Sequence, residues 1–287
     1  MKNLTRTAGD PDVQVYEPHR VGLPKLGPYV RDLWARRQFA AELSRATMRA
    51  AHSTTFFGQL WLVINPLLLA AVYYVLVNIL SNRSGGDFLV HLVGGLFFFY
   101  FVSGCITTGA ASVTSSGKLV STMAFPRLLM PLSAVRTAFF RFLPTLIVYF
   151  VIHAVVGAPW SPTMLLAGVF LLYGLVFGAG VGAFLAALQV YFRDTASFLP
   201  YFVRLWLYLS PVLWYPEDVA TRLGETGARF AQLNPLYSIV GGWSDLLVRS
   251  EIPSTGTWIA GAAWAVGAAV VGSLFFMSRE RDFAVRL

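Results

Sequence analysis

The 287-residue chain is too apolar and too poor in charge to cover the surface of a soluble protein. Hydrophobic residues make up 56% of the sequence and charged residues 13%, with a mean hydropathy of +0.61, whereas soluble domains carry about 25% charged residues. The formal net charge of +8 is better explained by basic loops beside anionic lipid than by nucleic-acid binding. We therefore predict an integral membrane protein with no nucleic-acid partner.

The first 57 residues are predicted to lie outside the bilayer. Residues 1–28 are polar and contain four prolines, a composition typical of a cytoplasmic tail without a packed core. Residues 29–57 combine five arginines with an imperfect apolar side, which predicts an amphipathic interface helix on the inner leaflet. A solvated helix that contacts a soluble subunit is the alternative.

Six apolar runs follow, each close to or above the roughly 18 residues that can cross a bilayer as a helix. They are residues 60–80, 88–113, 135–156, 164–192, 198–215 and 258–277. Nine Lys and Arg precede the first run, four lie in 114–141 and three follow the sixth run, whereas the other connections are acidic or nearly uncharged. Because basic loops stay in the cytoplasm, we predict an all-α plasma-membrane protein with six transmembrane helices in residues 58–287 and both termini cytoplasmic.

The connection between the second and third runs, residues 114–134, is the predicted inner loop. It carries Lys118 and Arg127 but no Asp or Glu. Gly117 and two prolines, Pro126 and Pro131, confine a short helical piece within it. Since it is the only long inner loop between spans, a cytoplasmic partner that drives the protein would have to act here.

The segment between the fifth and sixth runs, residues 216–253, is predicted to form two outer helices. Apolar residues recur at helical spacing in its second half: Leu236, Ile239, Val240, Trp243 and Leu247. At about 15 residues this helix is too short to span, so it is predicted to be re-entrant or interfacial. Together with a second helix over 217–233 it predicts an outer gate, with Tyr237, Val240 and Trp243 as gate residues.

Motifs for catalysis and nucleotide binding are absent from the sequence. The one Gly-Lys pair, at 117–118, lacks the first Gly and the following Ser or Thr of a phosphate loop. The four histidines fall at no metal-ligand spacing, and no Asp or Glu lies clearly within a span, which disfavours proton-coupled transport. We predict that the chain is not an enzyme and holds no metal or cofactor.

Aromatic residues, 15% of the chain, are predicted to pack between helices in most cases and to line a substrate path in some. Ring faces stack on sugars, and Tyr and Trp edges donate hydrogen bonds. The candidate path residues are Trp61, Phe97, Phe98, Tyr100, Tyr201, Arg204, Trp206 and Tyr208. Arg204 either snorkels to lipid headgroups or contacts a phosphate on the substrate, and Arg141 has the same two interpretations.

Short motifs occur in a fixed order from the first span to the outer helix. They are Gly58-Gln59-Leu60-Trp61, Asn65-Pro66, Phe125-Pro126-Arg127, Arg193-Asp194, Ser210-Pro211-Val212 followed by Tyr215-Pro216, and Asn234-Pro235-Leu236-Tyr237. In this order and topology the chain resembles the ABC-2-type permeases of bacterial polysaccharide export, the Wzm/TarG/KpsM group. Within that group it looks most like the permeases for the mycobacterial galactan (arabinogalactan) precursor.

The resemblance implies a homodimer with two Wzt-like ATPase subunits, which would hold ATP and Mg. The complex would move a polyprenyl-pyrophosphate-linked glycan from the cytoplasm to the outer face of the plasma membrane for cell-wall biogenesis. The piece around 118–127 would be the coupling helix. The implied contacts to the ATPase are Lys118, Met123, Phe125, Pro126, Arg127, Arg193 and Asp194.

Three alternatives remain open from the sequence. An ABC-2 permease for a drug or small lipid would need a smaller cavity and fewer glycan-binding rings. A membrane glycosyl- or phosphotransferase would need metal-binding acids at the inner face, where Asp194 is a poor substitute. A scaffold protein without transport gives no reason for the amphipathic outer helix.

Overall fold

The computed structural model describes residues 22–50, 58–81 and 85–287, and these ranges contain helices and no strand. Most of the predicted polar tail and residues 51–57 of the predicted interface helix lie outside them. The α-helices are α1 (Leu26–Ala35), α2 (Arg37–Ala50), α3 (Trp61–Ser81), α4 (Gly86–Ala111), α5 (Gly117–Thr122), α6 (Leu129–Val156), α7 (Ala167–Tyr191), α8 (Thr195–Leu209), α9 (Pro216–Gln232), α10 (Pro235–Ser244), α11 (Thr255–Arg279) and α12 (Phe283–Arg286).

Five of the described helices are long and apolar enough to cross a membrane. They are α3, α4, α6, α7 and α11, and they agree with five of the six predicted spans. The remaining predicted span, 198–215, is not one continuous helix. Its helix, α8, has 15 residues, about 22 Å at 1.5 Å per residue, against a hydrocarbon core of about 30 Å. It ends at Leu209, and the next residue, Ser210, has the extended backbone that a following proline imposes.

α4 is the centre of the bundle and is buried along most of its length. α6 and α7 flank it, and α3, α8 and α10 also contact it. Small residues set the close helix crossings, since glycine lets two backbones approach. Gly109 of α4 lies against Gly182 of α7, and Gly180 of α7 lies against Gly272 of α11. α7 and α11 therefore pack as a tight pair beside the central helix.

The predicted interface helix forms but is broken in two. The backbone departs from helical geometry at Arg36, which separates α1 from α2. α2 packs on α6, where the buried Thr137 hydroxyl donates to the buried Ser44 hydroxyl at 2.9 Å. Part of this segment is thus fixed against the bundle, a contact that the sequence description of a helix on the inner leaflet did not include.

The predicted outer helices form as α9 and α10. α9 is kinked at Gly224, whose φ of 69° is left-handed. Asn234 caps α10, because its side-chain oxygen accepts from the Leu236 amide and Pro235 occupies the first helical position. A short π-helix, Asp245–Arg249, continues α10 and ends at Ser250.

Candidate functional site

Three segments that are distant in sequence converge at one end of the bundle: α1, the inner loop and the end of α11. The Tyr29 hydroxyl donates to the Glu280 carboxylate at 2.7 Å. The Arg127 guanidinium donates to the Glu280 backbone carbonyl, and the Arg36 guanidinium donates to the Ala124 carbonyl at 2.7 Å. We call these five residues the connector junction. It ties the interface helix and the last span to the same loop.

Burial shifts the pKa of three groups at the connector junction. It raises the pKa of the Glu280 carboxyl, which the Tyr29 hydrogen bond and the Arg127 charge lower. Burial, followed by the Glu280 carboxylate, raises the pKa of the Tyr29 phenol, so it remains a proton donor at neutral pH. Burial lowers the pKa of the Arg127 guanidinium, and the nearby Glu280 raises it. The arginine therefore stays charged, which lets both groups bind Glu280 under physiological conditions.

Rings and the C-terminal turn reinforce the junction. Phe39 of α2 packs on Phe125 of the loop, with ring centroids 4.9 Å apart. Phe283 of α12 is fully buried against Phe276 of α11. Leu287 lies close to Gly117 at the start of α5. The end of the chain thus packs beside the short helix of the inner loop.

The structure brings together some of the predicted coupling residues. Met123, Phe125 and Arg127 line a small cleft of about 330 Å³ with Ala124, Glu280 and Arg281. Pro126 is buried beside them, Lys118 lies on α5, and Met123 is 50% exposed. Arg193 and Asp194 are exposed at the turn between α7 and α8, and among the described residues neither bonds to the connector junction.

A second group joins three predicted path residues, Tyr100, Arg204 and Tyr208, with Tyr73, which was not predicted, where α3, α4 and α8 approach one another. The Tyr73 and Tyr208 hydroxyls are 3.4 Å apart. Arg204 lies one turn before Tyr208 on α8, close enough for its charge to act on the phenols of Tyr73 and Tyr100. We call Tyr73, Tyr100, Arg204 and Tyr208 the tyrosine–arginine cluster. It presents one cation and three hydroxyls at an otherwise apolar helix surface, a composition that can bind anionic or hydroxyl-rich groups.

The other predicted path residues are divided between the surface and the core. Tyr201 is 67% exposed on α8, and Trp61 and Phe97 border a cleft between α3, α4 and α6. Phe98 is fully buried and stacks on Trp243, with centroids 4.6 Å apart. Trp206 donates to the Asn234 side-chain oxygen at 2.7 Å. Phe98 and Trp206 therefore hold helices together. The sequence could not predict this, because the identity of a ring does not show which way it faces.

The predicted gate residues belong to the packed part of the bundle. Val240 and Trp243 are buried, and the Trp243 indole donates to the Gly94 carbonyl of α4 at 3.2 Å. Tyr237 is half-buried near the Trp214 ring. α10 is therefore anchored to α4. A gate that opens by moving α10 would have to break this packing.

A polar cluster at the opposite end of the bundle was missed by sequence reasoning. His91 of α4 is fully buried, and its Nδ1 lies 2.6 Å from the Ser244 hydroxyl. Its ring packs on Tyr215 at 4.2 Å, and Arg249 lies over that tyrosine at 5.0 Å. The sequence feature that could have indicated this cluster is a histidine inside the apolar run 88–113. Across the described residues, no group of three or more His, Cys, Asp or Glu is placed to bind a metal ion.

Comparison with known proteins identifies the family. Residues 37–248 match the family model described as ABC-2 type transporter, which is more than half of the chain. The chain belongs to the ABC-2 type transporter family. With its apolar helices, it is a multi-pass membrane protein, and the predicted resemblance to ABC-2 permeases is confirmed. The matched region of this ABC-2 chain contains the tyrosine–arginine cluster and Arg127, whereas Tyr29 and Glu280 lie outside it.

Curated relatives of this ABC-2 chain carry the name O-antigen export system permease protein RfbA. A relative from Myxococcus xanthus is 27% identical over 255 residues, which cover 89% of this chain and 97% of that protein. Two relatives from Klebsiella pneumoniae are each 26% identical and cover 73% of this chain and 80% of their own length. These relatives are transport permeases, in agreement with a chain that is not an enzyme.

Proposed function

We propose that this chain is the membrane subunit of an ATP-driven exporter that moves a polyprenyl-pyrophosphate-linked polysaccharide from the cytoplasm to the outer face of the plasma membrane. The carrying observation is the length of the match to the Myxococcus xanthus permease, 97% of that protein. If the two proteins shared only a pair of apolar helices, the sequence match would not extend over the whole relative. The mycobacterial galactan precursor remains our expectation for the glycan.

The proposed assembly is a homodimer with two ATPase subunits, which bind ATP and Mg. In the proposed topology both termini are cytoplasmic, α8 with its following turn is a short sixth membrane segment, and α10 is re-entrant. The contacts of α10 support this topology. Trp243 and Ser244 bond at Gly94 and His91 of α4, 5 to 8 residues into that helix from Gly86, or about 8–12 Å along its axis.

The connector junction supports a coupling role. A partner that binds the exposed Met123 side of the loop would act on a segment held by Tyr29, Arg36 and Glu280 through the contacts given above. Because packed elements move as rigid bodies and not as continuously deformable solids, displacement of the loop would be transmitted to α1 and to the end of α11. This arrangement gives a physical route from ATP hydrolysis to the bundle.

The tyrosine–arginine cluster is our candidate for substrate contact, and its loss is expected to reduce export. The expected effect of Arg204→Gln is about a tenfold fall in glycan export, because a charge-assisted hydrogen bond contributes about 1.5–3 kcal/mol. The measurement is surface glycan in cells depleted of the native chain and complemented with each variant. Depletion alone should trap lipid-linked glycan in the cytoplasm.

The matched control for this experiment is Arg229→Gln. Arg229 is an exposed arginine on α9 whose weak pair with Glu225 lies in solvent. It should export at the wild-type level, and both variants should retain the partner ATPase. Normal export by Arg204→Gln would remove the cluster from the substrate path, and depletion without trapped glycan would contradict the proposed cargo.

One observation favours the alternative cargo, a drug or small lipid. An apolar cavity of about 870 Å³ lies between α3, α8, α9 and the start of α10, within the range of about 300–1,000 Å³ typical of drug-sized ligand pockets. The depletion experiment separates the two cargoes, because a drug permease would leave the cellular glycan unchanged.

A further inference from the structure

A small cleft between α3, α4 and α6 is lined by Arg141, an arginine within the third predicted span. Its volume is about 290 Å³. The walls come from the first turns of α3, the second half of α4 and the middle of α6, so it lies in the half of the bundle nearest the inner loop. Its polar lining consists of Asn65, Tyr100, Thr108, Arg141 and Thr145, with Trp61 at one side. The lining contains no carboxylate.

Arg141 is a half-buried cation within a span. Among the residues that the structure describes, it forms no hydrogen bond or ion pair. Arg136, five positions earlier on α6, lies over the Phe140 ring at 4.9 Å, and its buried Nε has no hydrogen-bond partner among the described residues. A cation in a membrane span usually pairs with an anion or a polar partner because its desolvation is costly. The Arg141 guanidinium is therefore available to an anion from outside this part of the chain.

The neighbouring groups present donors to the same space. The Asn65 amide and the Tyr100 phenol also have no hydrogen-bond partner among the described residues. The two threonine hydroxyls donate to carbonyls of their own helices, at Gly104 and Phe142. A guanidinium fork with an amide and a phenol matches the geometry of phosphate oxygens. Acidic side chains, which would repel an anion, are absent from this lining.

We propose that the Arg141 cleft binds the phosphate of a lipid headgroup. Lipid phosphates are the abundant anions at a membrane surface, and basic pockets between transmembrane helices on the cytoplasmic side bind anionic headgroups. The volume is just below the range of about 300–1,000 Å³ for drug-sized ligands, so a headgroup fits while the lipid tails stay outside. This site goes beyond the proposed function and would stand if the cargo were different.

Two sources can supply that phosphate, a glycerophospholipid or a lipid-linked diphosphate. Both are tested by native mass spectrometry of the purified full-length protein, titrated separately with phosphatidylglycerol and with a polyprenyl diphosphate. Arg141→Gln is expected to weaken binding of the resident source about tenfold. Arg141→Lys keeps the charge but loses the fork, so about a threefold loss is expected. Arg136→Gln, which removes a cation from the same helix, should bind as wild type.

The outcomes identify the source or overturn the proposal. Loss of phosphatidylglycerol alone indicates a structural lipid, loss of polyprenyl diphosphate alone indicates a substrate port, and loss of both indicates a shared phosphate site. Equal binding of both probes by Arg141→Gln and Arg136→Gln would overturn the proposal. If Arg141→Gln does not fold, Asn65→Ala replaces it, and wild-type binding of both probes by this variant would contradict the site.

Discussion

Replacing Glu280 with alanine is expected to uncouple ATP hydrolysis from export. The substitution removes the acceptor of the Tyr29 hydroxyl and the charge beside Arg127, while the backbone carbonyl that Arg127 contacts remains. Hydrogen bonds to a charged group contribute about 1.5–3 kcal/mol, so α1 should separate from the last span at least tenfold more often. ATP hydrolysed per glycan exported, measured on the purified complex in vesicles, should rise at least tenfold.

The control and a second readout keep this result interpretable. Glu225→Ala removes an exposed acid on α9 and should behave as wild type. Glu280→Gln retains an acceptor for Tyr29 without the charge and should show an intermediate ratio. Amide hydrogen exchange of residues 26–35 should increase in Glu280→Ala even without a partner present. Wild-type exchange and a wild-type ratio in Glu280→Ala would remove Glu280 from the coupling route.

Replacing Gly272 with alanine is expected to destabilise the bundle. A Cβ at Gly272 would overlap the backbone carbonyl of Gly180, so α7 and α11 would have to move apart along their crossing. Overpacking of this kind typically costs about 1–3 kcal/mol, and occasionally more. The measurement is the thermal unfolding temperature of the purified protein in mild detergent.

The matched control lies five positions earlier on the same helix. A Cβ at Gly267 would meet nothing within 4 Å, so Gly267→Ala should be neutral or stabilising by up to about 1 kcal/mol through helix propensity. Equal unfolding temperatures for the two variants would contradict the close crossing of α7 and α11.

Local rules predicted much of the fold because the bilayer restricts it so strongly. Length and apolarity alone located five spanning helices, since lipid leaves the backbone no other way to satisfy its hydrogen bonds. Asn234 and Pro235 marked the start of α10 through cap chemistry. The break at Ser210-Pro211 could have been predicted from the proline, but a continuous apolar run concealed it.

The contacts that define the candidate sites could not be predicted in the same way. Tyr29 and Glu280 are 251 positions apart, and no local periodicity connects them. Helical periodicity placed Trp243 on an outer helix but did not predict that its indole donates to the Gly94 carbonyl of α4. Side-chain direction in a membrane bundle is decided by neighbouring helices, because apolar residues suit lipid and protein interior equally well.

Affinity purification of the full chain in mild detergent, with mass spectrometry of the proteins that co-purify, tests the central claim most directly. The expected result is a stoichiometric partner with a Walker A loop. The amount of partner that co-purifies should be unchanged with Ile252→Asp. It should fall at least tenfold with Met123→Asp, because a charge buried in an apolar contact is costly. Both side chains are exposed, but Ile252 lies at the opposite end of the bundle. A preparation that contains no ATPase, even after cross-linking, would contradict the assignment as an exporter subunit.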